Sequence, residues 1–361
     1  MALKTAVEHW LRQQWTRRGL WYVLCWWPAL IFGCAVRIRR GLYLCGLLKT
    51  RHFDTSIIVV GNISGGGTGK TPLVIWLVNT LKEHGWTVGV VSRGYGGIFQ
   101  GVLEVNAHSS SAWQVGDEPL LIAKRTRVPV FVSRQRVLAV QALLNTYPQC
   151  NVIVSDDGLQ HFALARDIEI AVLGDEDSNG ALLPAGDLRE PRQRLLSVDA
   201  VVVRQKTCTL TIPQFQMQIH ATAFYQLIKP SLIRTAADFT GERVLAVTGI
   251  AHPQRFADSL SDLGLNFEWR VYADHHPFTI SDMQNWQSDS IVMTEKDAMK
   301  CLPFADARIW VLAVDAIVDN ALWALVSRRL NVVGEGPINE VGDPPSSTLQ
   351  SHLPADSFAK V

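Results

Sequence analysis

From residue 56 onward the chain alternates between two hydrophobic rhythms. Short apolar runs rich in Val and Ile fall at Ser56–Val60, Thr87–Ser92, Pro129–Val132, Val152–Ser155, Ile168–Leu173 and Ala200–Arg204. Their length and β-branched content predict buried strands. Between them, apolar residues recur at three- and four-residue spacing, which predicts helices over Thr71–Glu83, Asp117–Lys124 and Arg134–Asn145. Strands separated by helix-length segments imply an α/β fold: a mainly parallel sheet flanked by helices. A second strand-rich part starts near Gly241, with strands at Val244–Val247, Asn266–Tyr272, Ile291–Met293 and Ile309–Val314 and helices at Pro253–Leu263 and Ala316–Arg329. The pattern is weak between residues 205 and 240, and the boundary is placed there. The expected organisation is a basic, aromatic segment (1–52), a core (53–205), a smaller second α/β part (206–333) and a polar Pro/Ser/Gly-rich tail (334–361) expected to be disordered.

Ahead of this pattern lies an 18-residue stretch without a charge, residues 19–36. As a single helix it would be about 27 Å long, the short end of what crosses a bilayer. Pro28 in its middle predicts a break or kink. Trp21, Tyr22, Trp26 and Trp27 suit the headgroup zone, and arginines flank both ends (Arg17 and Arg18; Arg37, Arg39 and Arg40). The reading is a helix, or a helix pair broken at Pro28, lying in the interface of an anionic membrane. A spanning or re-entrant segment and a buried core helix are the alternatives. No small-residue cleavage site follows the run, so a signal peptide is not expected.

Charge sharpens this picture. The net charge of +1 conceals nine Lys or Arg against one acid, Glu8, in residues 1–52, and 25 basic against 32 acidic side chains beyond. A basic head on an acidic body points to an anionic partner for the head. The uncharged run favours lipid over nucleic acid, and no protein partner is predicted. The six cysteines are scattered without a C-x-x-C pair, which argues against a zinc site or a disulfide framework.

The segment SIIVVGNISGGGTGKTPLVIWL reads strand, glycine-rich loop, helix, the context that a P-loop requires. Gly65, Gly66, Gly67, Thr68 and Gly69 would turn backbone N–H groups onto phosphate oxygens. Lys70 would reach the β- and γ-phosphates, and the Thr71 hydroxyl would bind Mg²⁺. Ser64 stands where the strict pattern has glycine. A second apolar strand ends in Asp156 and Asp157, where a Walker B carboxylate would hold Mg²⁺. ATP and Mg²⁺ are thus the expected cofactors. A guanine-specific motif is not met: Thr294-Glu295-Lys296-Asp297 has the letters at the wrong spacing.

Several segments, taken together and in order, resemble the tetraacyldisaccharide 4′-kinase family of the lipid A pathway. They are VGNISGGGTGKTP (60–72), SRGYGG (92–97), GDEP (116–119), SDDGLQHFALARDIEI (155–170), NGALLPAGDLREP (179–191), VTGIAHPQRF (247–256), DHHPFT (274–279) and VMTEKDAMK (292–300). Asp187 departs from the family's more usual proline. The resemblance implies transfer of the ATP γ-phosphate to the 4′-hydroxyl of a tetraacylated disaccharide 1-phosphate, forming lipid IVA at the cytosolic face of the inner membrane. It also implies a pairing of Asp117, the base, with a histidine that keeps it ionised and aimed; His275 is preferred, with His276 the alternative. Glu118, Asp156 and Asp157 join Thr71 as candidate Mg²⁺ ligands, and the division of metal and base roles among the four carboxylates stays open. Arg93, Arg134, Arg136 and Arg189 are candidate phosphate contacts on the substrate, with Tyr95 against its sugar or acyl chains. Gln160 and His161 would line the same site.

Two other functions fit a membrane-docked P-loop: an ATPase that drives a partner, and a nucleotide-binding adaptor without chemistry. The first would turn over ATP without a phosphorylated lipid. The second would leave the Asp117 and His275 motifs incidental.

Overall fold

The computed structural model describes residues 10, 11, 13–174, 178–204 and 211–333. The tail expected at 334–361 lies outside the described residues, as does Cys208. Helices α1 (Leu20–Leu24) and α2 (Trp26–Leu44) precede β1 (Ser56–Gly61), α3 (Lys70–Glu83), β2 (Val88–Ser92), β3 (Val102–Glu104), α4 (Ala112–Val115) and α5 (Asp117–Thr126). Then come β4 (Val130–Ser133), α6 (Arg136–Thr146), β5 (Val152–Asp156), β6 (Ile168–Leu173) and β7 (Ala200–Val203). The chain continues through β8 (Gln214–Gln226), β9 (Ile233–Arg234), β10 (Val244–Thr248), α7 (Pro253–Asp262) and β11 (Glu268–Val271). It closes with α8 (Ile280–Gln284), β12 (Ser290–Thr294), α9 (Glu295–Cys301), β13 (Ile309–Val318) and α10 (Asn320–Val333).

Among the described residues the strands form one sheet in the order β11-β10-β12-β13-β8-β7-β6-β1-β5-β2-β4-β3, with β9 beside β8. β1 lies between β5 and β6, parallel to both. It is buried along its whole length, and its alternation divides the core. Ile58 and Val60 face Leu73 and Leu77 of α3, while Ile57 and Val59 face Val140 and Leu143 of α6. That sandwich fixes the C-terminal edge of the sheet, where β1, β2 and β5 deliver the loops that carry the chemistry.

The weak region between 205 and 240 contains the longest strand. β8 pairs parallel with β7 through Gln214–Gln216, then antiparallel with β13 from Met217 to Gln226. It therefore joins the two halves into a continuous sheet. Over its first half Gln214, Gln216, Gln218 and His220 alternate with apolar residues, so that stretch shows none of the solid apolar run of its neighbours. Pairing with β8 also corrects the helix expected from Ala316. Ala316, Ile317 and Val318 match Ile219, Gln218 and Met217 as strand, and the helix starts only at Asn320.

The N-terminal segment breaks at Cys25 rather than at Pro28. Pro28 occupies the first turn of α2, where its missing N–H costs nothing. Helix α2 then runs through Arg37, Arg39 and Arg40 to Leu44. No helix among the described residues is long and apolar enough to cross a membrane. The pair rests on the body through a narrow seam of Cys25, Ala29 and Gly33 against Ala181, Leu182 and Ala185. Leu20, Val23, Leu24, Trp27 and Ile31 face outward, Trp27 with 69% and Ile31 with 70% of its surface exposed. The five cysteines among the described residues are free thiols.

Candidate active site

Between β1 and α3 the chain forms the phosphate loop. Gly69 takes φ 94° and Gly66 φ 134°, conformations that L side chains rarely adopt. Ser64 needs no such freedom. It bridges Leu188 in extended backbone while the Gly65 N–H donates to Asp187 O at 2.9 Å, so the loop is braced by the 179–191 segment. The Asn62 side chain donates to Thr68 Oγ1 at 3.3 Å inside the turn. Lys70 opens α3 and reaches Asp157, with Nζ 3.3 Å from Oδ1; Arg189 lies 3.2 Å from the other oxygen of the same carboxylate.

Asp156 and Asp157 end β5 beside the loop. Asp156 is buried and accepts the Ser92 hydroxyl at 2.9 Å. Burial, then the charges of Glu118 and Asp157, push its carboxyl up to about 7. Burial acts the same way on Asp157, but Lys70, Arg189 and Arg136 outweigh it and hold that carboxyl below its usual range. Three carboxylates crowded beside a phosphate loop form a donor set that a divalent cation would relieve. Among the described residues no group of three or more His, Cys, Asp or Glu is arranged to hold a metal unaided. Mg²⁺ on a nucleotide takes much of its shell from phosphate and water.

Asp117 is the first residue of α5, and only 4% of its side chain is exposed. Its Oδ1 accepts the Glu118 N–H at 2.9 Å, and its Oδ2 lies 3.1 Å from His275 Nδ1. His275 comes from the other half of the sheet, in the turn after β11, where it holds φ 57°. Strain of that kind in a non-glycine residue costs roughly 1–3 kcal/mol. Beyond it, Lys296 Nζ stands 3.2 Å from His275 Nε2 and 3.0 Å from Glu118 Oε1. An ammonium has only protons to offer, so Nε2 accepts and Nδ1–H donates to Asp117. Burial works to raise the Asp117 carboxyl. The His275 hydrogen bond and the Lys296 and Lys300 charges prevail and hold it below its usual range. His276 instead pairs with Asp282 at 3.2 Å and packs on Tyr272. Lys296 and Lys300 were not singled out from the sequence, although the segment VMTEKDAMK contains both, four apart on one face of α9.

Beside these groups lies a cleft of about 1990 Å³, larger than a nucleotide alone requires, with Asp117 and Asp156 buried just behind its wall. Lys70, Thr71, Arg93, Tyr95, Glu118, Asp157, Arg189 and His275 line it. The Tyr95 ring meets His275 edge-on, with centroids 5.0 Å apart. Arg134 and Arg136, expected at the substrate, are not on its wall. Arg136 is buried behind it and donates to Ser133 O at 2.9 Å and Asp156 O at 2.8 Å, bracing the end of β5. With only 1% of its surface exposed, that guanidinium is not presented to a ligand in the cleft. Arg134 borders a small separate hollow with His161, whose imidazole is pushed down to about 4 by burial and then by Arg136 and Arg93. Gln160 ties Asn62 O to Glu190, at 2.9 and 2.8 Å.

The motifs SRGYGG and GDEP meet backbone to backbone. Gly116, with φ 95° and ψ 151°, precedes Asp117, and a Cβ there would fall 2.6 Å from Tyr95 O. Gly116→Ala is therefore expected to displace both Asp117 and the Tyr95 loop and to lower kcat by about 10²-fold. Steady-state turnover checks this, and an unchanged kcat would contradict it.

Comparison with known proteins places this geometry in a family. The sequence model of tetraacyldisaccharide-1-P 4′-kinase matches residues 21–331. A tetraacyldisaccharide 4′-kinase of Methylobacillus flagellatus is 41% identical over 92% of this chain and 98% of its own length. One from an Azoarcus species is 44% identical over 91% and 96%. The fold matches a crystal structure described as the "apo" form of LpxK from Aquifex aeolicus in complex with ATP. The TM-score is 0.76 at 27% identity, over 86% of this chain and 99% of that one. A match of this extent, around a phosphate loop faced by a buried Asp–His pair, makes the chain a member of the tetraacyldisaccharide-1-P 4′-kinase family.

Proposed function

We propose that this kinase works on a membrane surface and uses the Asp117–His275 pair to move the γ-phosphoryl group of ATP onto the 4′-hydroxyl of a tetraacyldisaccharide 1-phosphate. The observation that supports the site assignment best is the 3.1 Å contact between Asp117 and His275, made between two halves of the sheet at the edge of the phosphate-loop cleft. Gly65 to Thr71 cradle the triphosphate and Lys70 neutralises charge on its outer phosphates. Thr71, Glu118, Asp156 and Asp157 are the groups that would hold Mg²⁺, which when bound neutralises charge on the phosphoryl oxygens. Asp117 remains ionised beside the protonated Nδ1 of His275, and the proton of the attacking hydroxyl passes to this pair. Arg93, Arg189 and Tyr95 orient the disaccharide.

The outward apolar face of α1 and α2 supports docking on the cytosolic side of the inner membrane. Its Trp and Leu side chains enter the acyl boundary, and Arg37, Arg39 and Arg40 meet anionic headgroups. The acyl chains of the substrate then stay largely in the bilayer while its sugar enters the cleft.

Label transfer from γ-labelled ATP to the disaccharide 1-phosphate lipid, in detergent with Mg²⁺, tests this reading. Wild type should give a 4′-phosphorylated lipid, and Lys70→Ala should lower the rate by roughly 10²–10³-fold. Chelating the divalent cation should stop the reaction and added Mg²⁺ restore it. ATP consumption without a labelled lipid would overturn the reading in favour of a coupled ATPase.

A further inference from the structure

The site described so far has no assigned part for a cation that touches the phosphate loop from outside it. Arg255 lies on α7, in the half of the sheet that also supplies His275, and its Nη1 donates to Gly67 O at 3.1 Å. The turn that starts α7 packs on the loop. A Cβ at Gly67 would lie 3.4 Å from His252 Cδ2 and 3.7 Å from Ala251 Cβ, ordinary contact distances that place this turn directly against the loop. Phe256, Ala257 and Leu260 bury the other face of α7, which gives the arginine a firm base. Arg255 lines the same cleft as Lys70 and His275.

In a phosphate loop the N–H groups turn inward and the carbonyls turn outward. A guanidinium bonded to such a carbonyl stands on the rim, within side-chain rotation of the triphosphate. A neutral carbonyl is also a weaker acceptor than a phosphate oxygen. We propose that Arg255 is an arginine finger supplied in cis, which exchanges Gly67 O for an equatorial oxygen of the γ-phosphoryl group during transfer. The inference rests on the 4′-kinase reading.

The bond changes are those of that reaction. The bond from γ-phosphorus to the β,γ-bridging oxygen breaks, and that oxygen leaves on ADP with the electron pair. A bond from phosphorus to the 4′-oxygen forms, and the hydroxyl proton goes to the Asp117–His275 pair. Arg255 makes no covalent bond. Its N–H groups meet charge on the equatorial oxygens, where a planar fork serves better than a point charge.

The test uses the full chain with Arg255→Gln and Arg255→Lys, in detergent with the disaccharide lipid. Both variants should lose about 10²–10³-fold in kcat while the dissociation constant for ADP stays within about threefold. Aluminium fluoride, which mimics the phosphoryl group in transit, should tighten ADP binding to wild type with lipid present but not to either variant. Wild-type turnover in Arg255→Lys, or intact tightening in Arg255→Gln, would overturn the finger. So would a loss of ADP affinity as large as the loss of kcat, which marks a latch that merely shapes the loop. A failure of the kinase reading shows up separately, as unmutated protein that consumes ATP and phosphorylates no lipid, and it would remove the finger with it.

Discussion

Asp117→Asn should lower kcat for lipid phosphorylation by a factor of about 10²–10⁴ and leave the dissociation constant for ATP within about twofold. The substitution keeps the shape of the side chain and removes its charge. In the native site the carboxylate lies 3.1 Å from His275 and 3.9 Å from Lys300, and the His275 hydrogen bond with the Lys296 and Lys300 charges holds it below its usual range, ionised throughout any practical assay range. An amide can still accept one hydrogen bond from His275. It cannot take up a proton, nor stabilise the positive imidazole that forms if the proton arrives there first. In the proposed reaction ATP is bound by the loop and Lys70, none of which touches Asp117, so nucleotide affinity should hold. His275→Ala should cost a similar factor. The double variant should be little worse than either single one, because groups that act as a unit are not additive. Steady-state kinetics with isothermal titration of ATP separates the two quantities. A kcat within about threefold of wild type would remove Asp117 from the chemistry.

Parts of this site were legible before any coordinates because their physics is local. A buried parallel strand, a loop that needs glycine torsions and a helix opening on Lys-Thr follow one another in sequence, so β1, the phosphate loop and α3 could be read directly. The same holds for β5 and its terminal acids. What escaped depends on partners distant in sequence. β8 looks like a polar loop until β13 and β7 supply its hydrogen bonds. Arg136 looks like a phosphate ligand because it follows a strand, and only the packing shows it turned inward onto the Ser133 and Asp156 carbonyls. Lys296 lies in a segment with the letters of a guanine signature at the wrong spacing, and its place between Glu118 and His275 arises from the meeting of α9 with α5. The choice between His275 and His276 was open in sequence for the same reason: neighbours in a turn point to different walls.

Arg125→Ala should lower the stability of the protein by about 3–5 kcal/mol and its melting temperature by roughly 10 °C, while also reducing kcat. Arg125 is in the last turn of α5, the helix whose first residue is Asp117. It is nearly buried and pairs with Glu295 of α9 and Asp315 of β13. Burial disfavours its charge, but the two carboxylates prevail and hold the guanidinium protonated. Glu295 is still deeper, so its carboxyl is pushed up on balance despite Arg125. Such a pair adds little over an apolar contact of equal volume, because the desolvation of both ions offsets their attraction. Removing one member is different, since it leaves the other buried without a counter-charge. Arg125→Met combined with Glu295→Gln should therefore recover a good part of the loss. The functional effect follows from geometry: α5 is held to the second half of the sheet at both ends, by Asp117 with His275 and by Arg125 with Glu295 and Asp315, about 12 Å apart along the helix. Releasing the far end loosens the register that brings Asp117 to His275. Calorimetry and turnover on the same preparations test both effects. A melting temperature lowered by less than about 2 °C would show that the buried pair does not hold the two halves together.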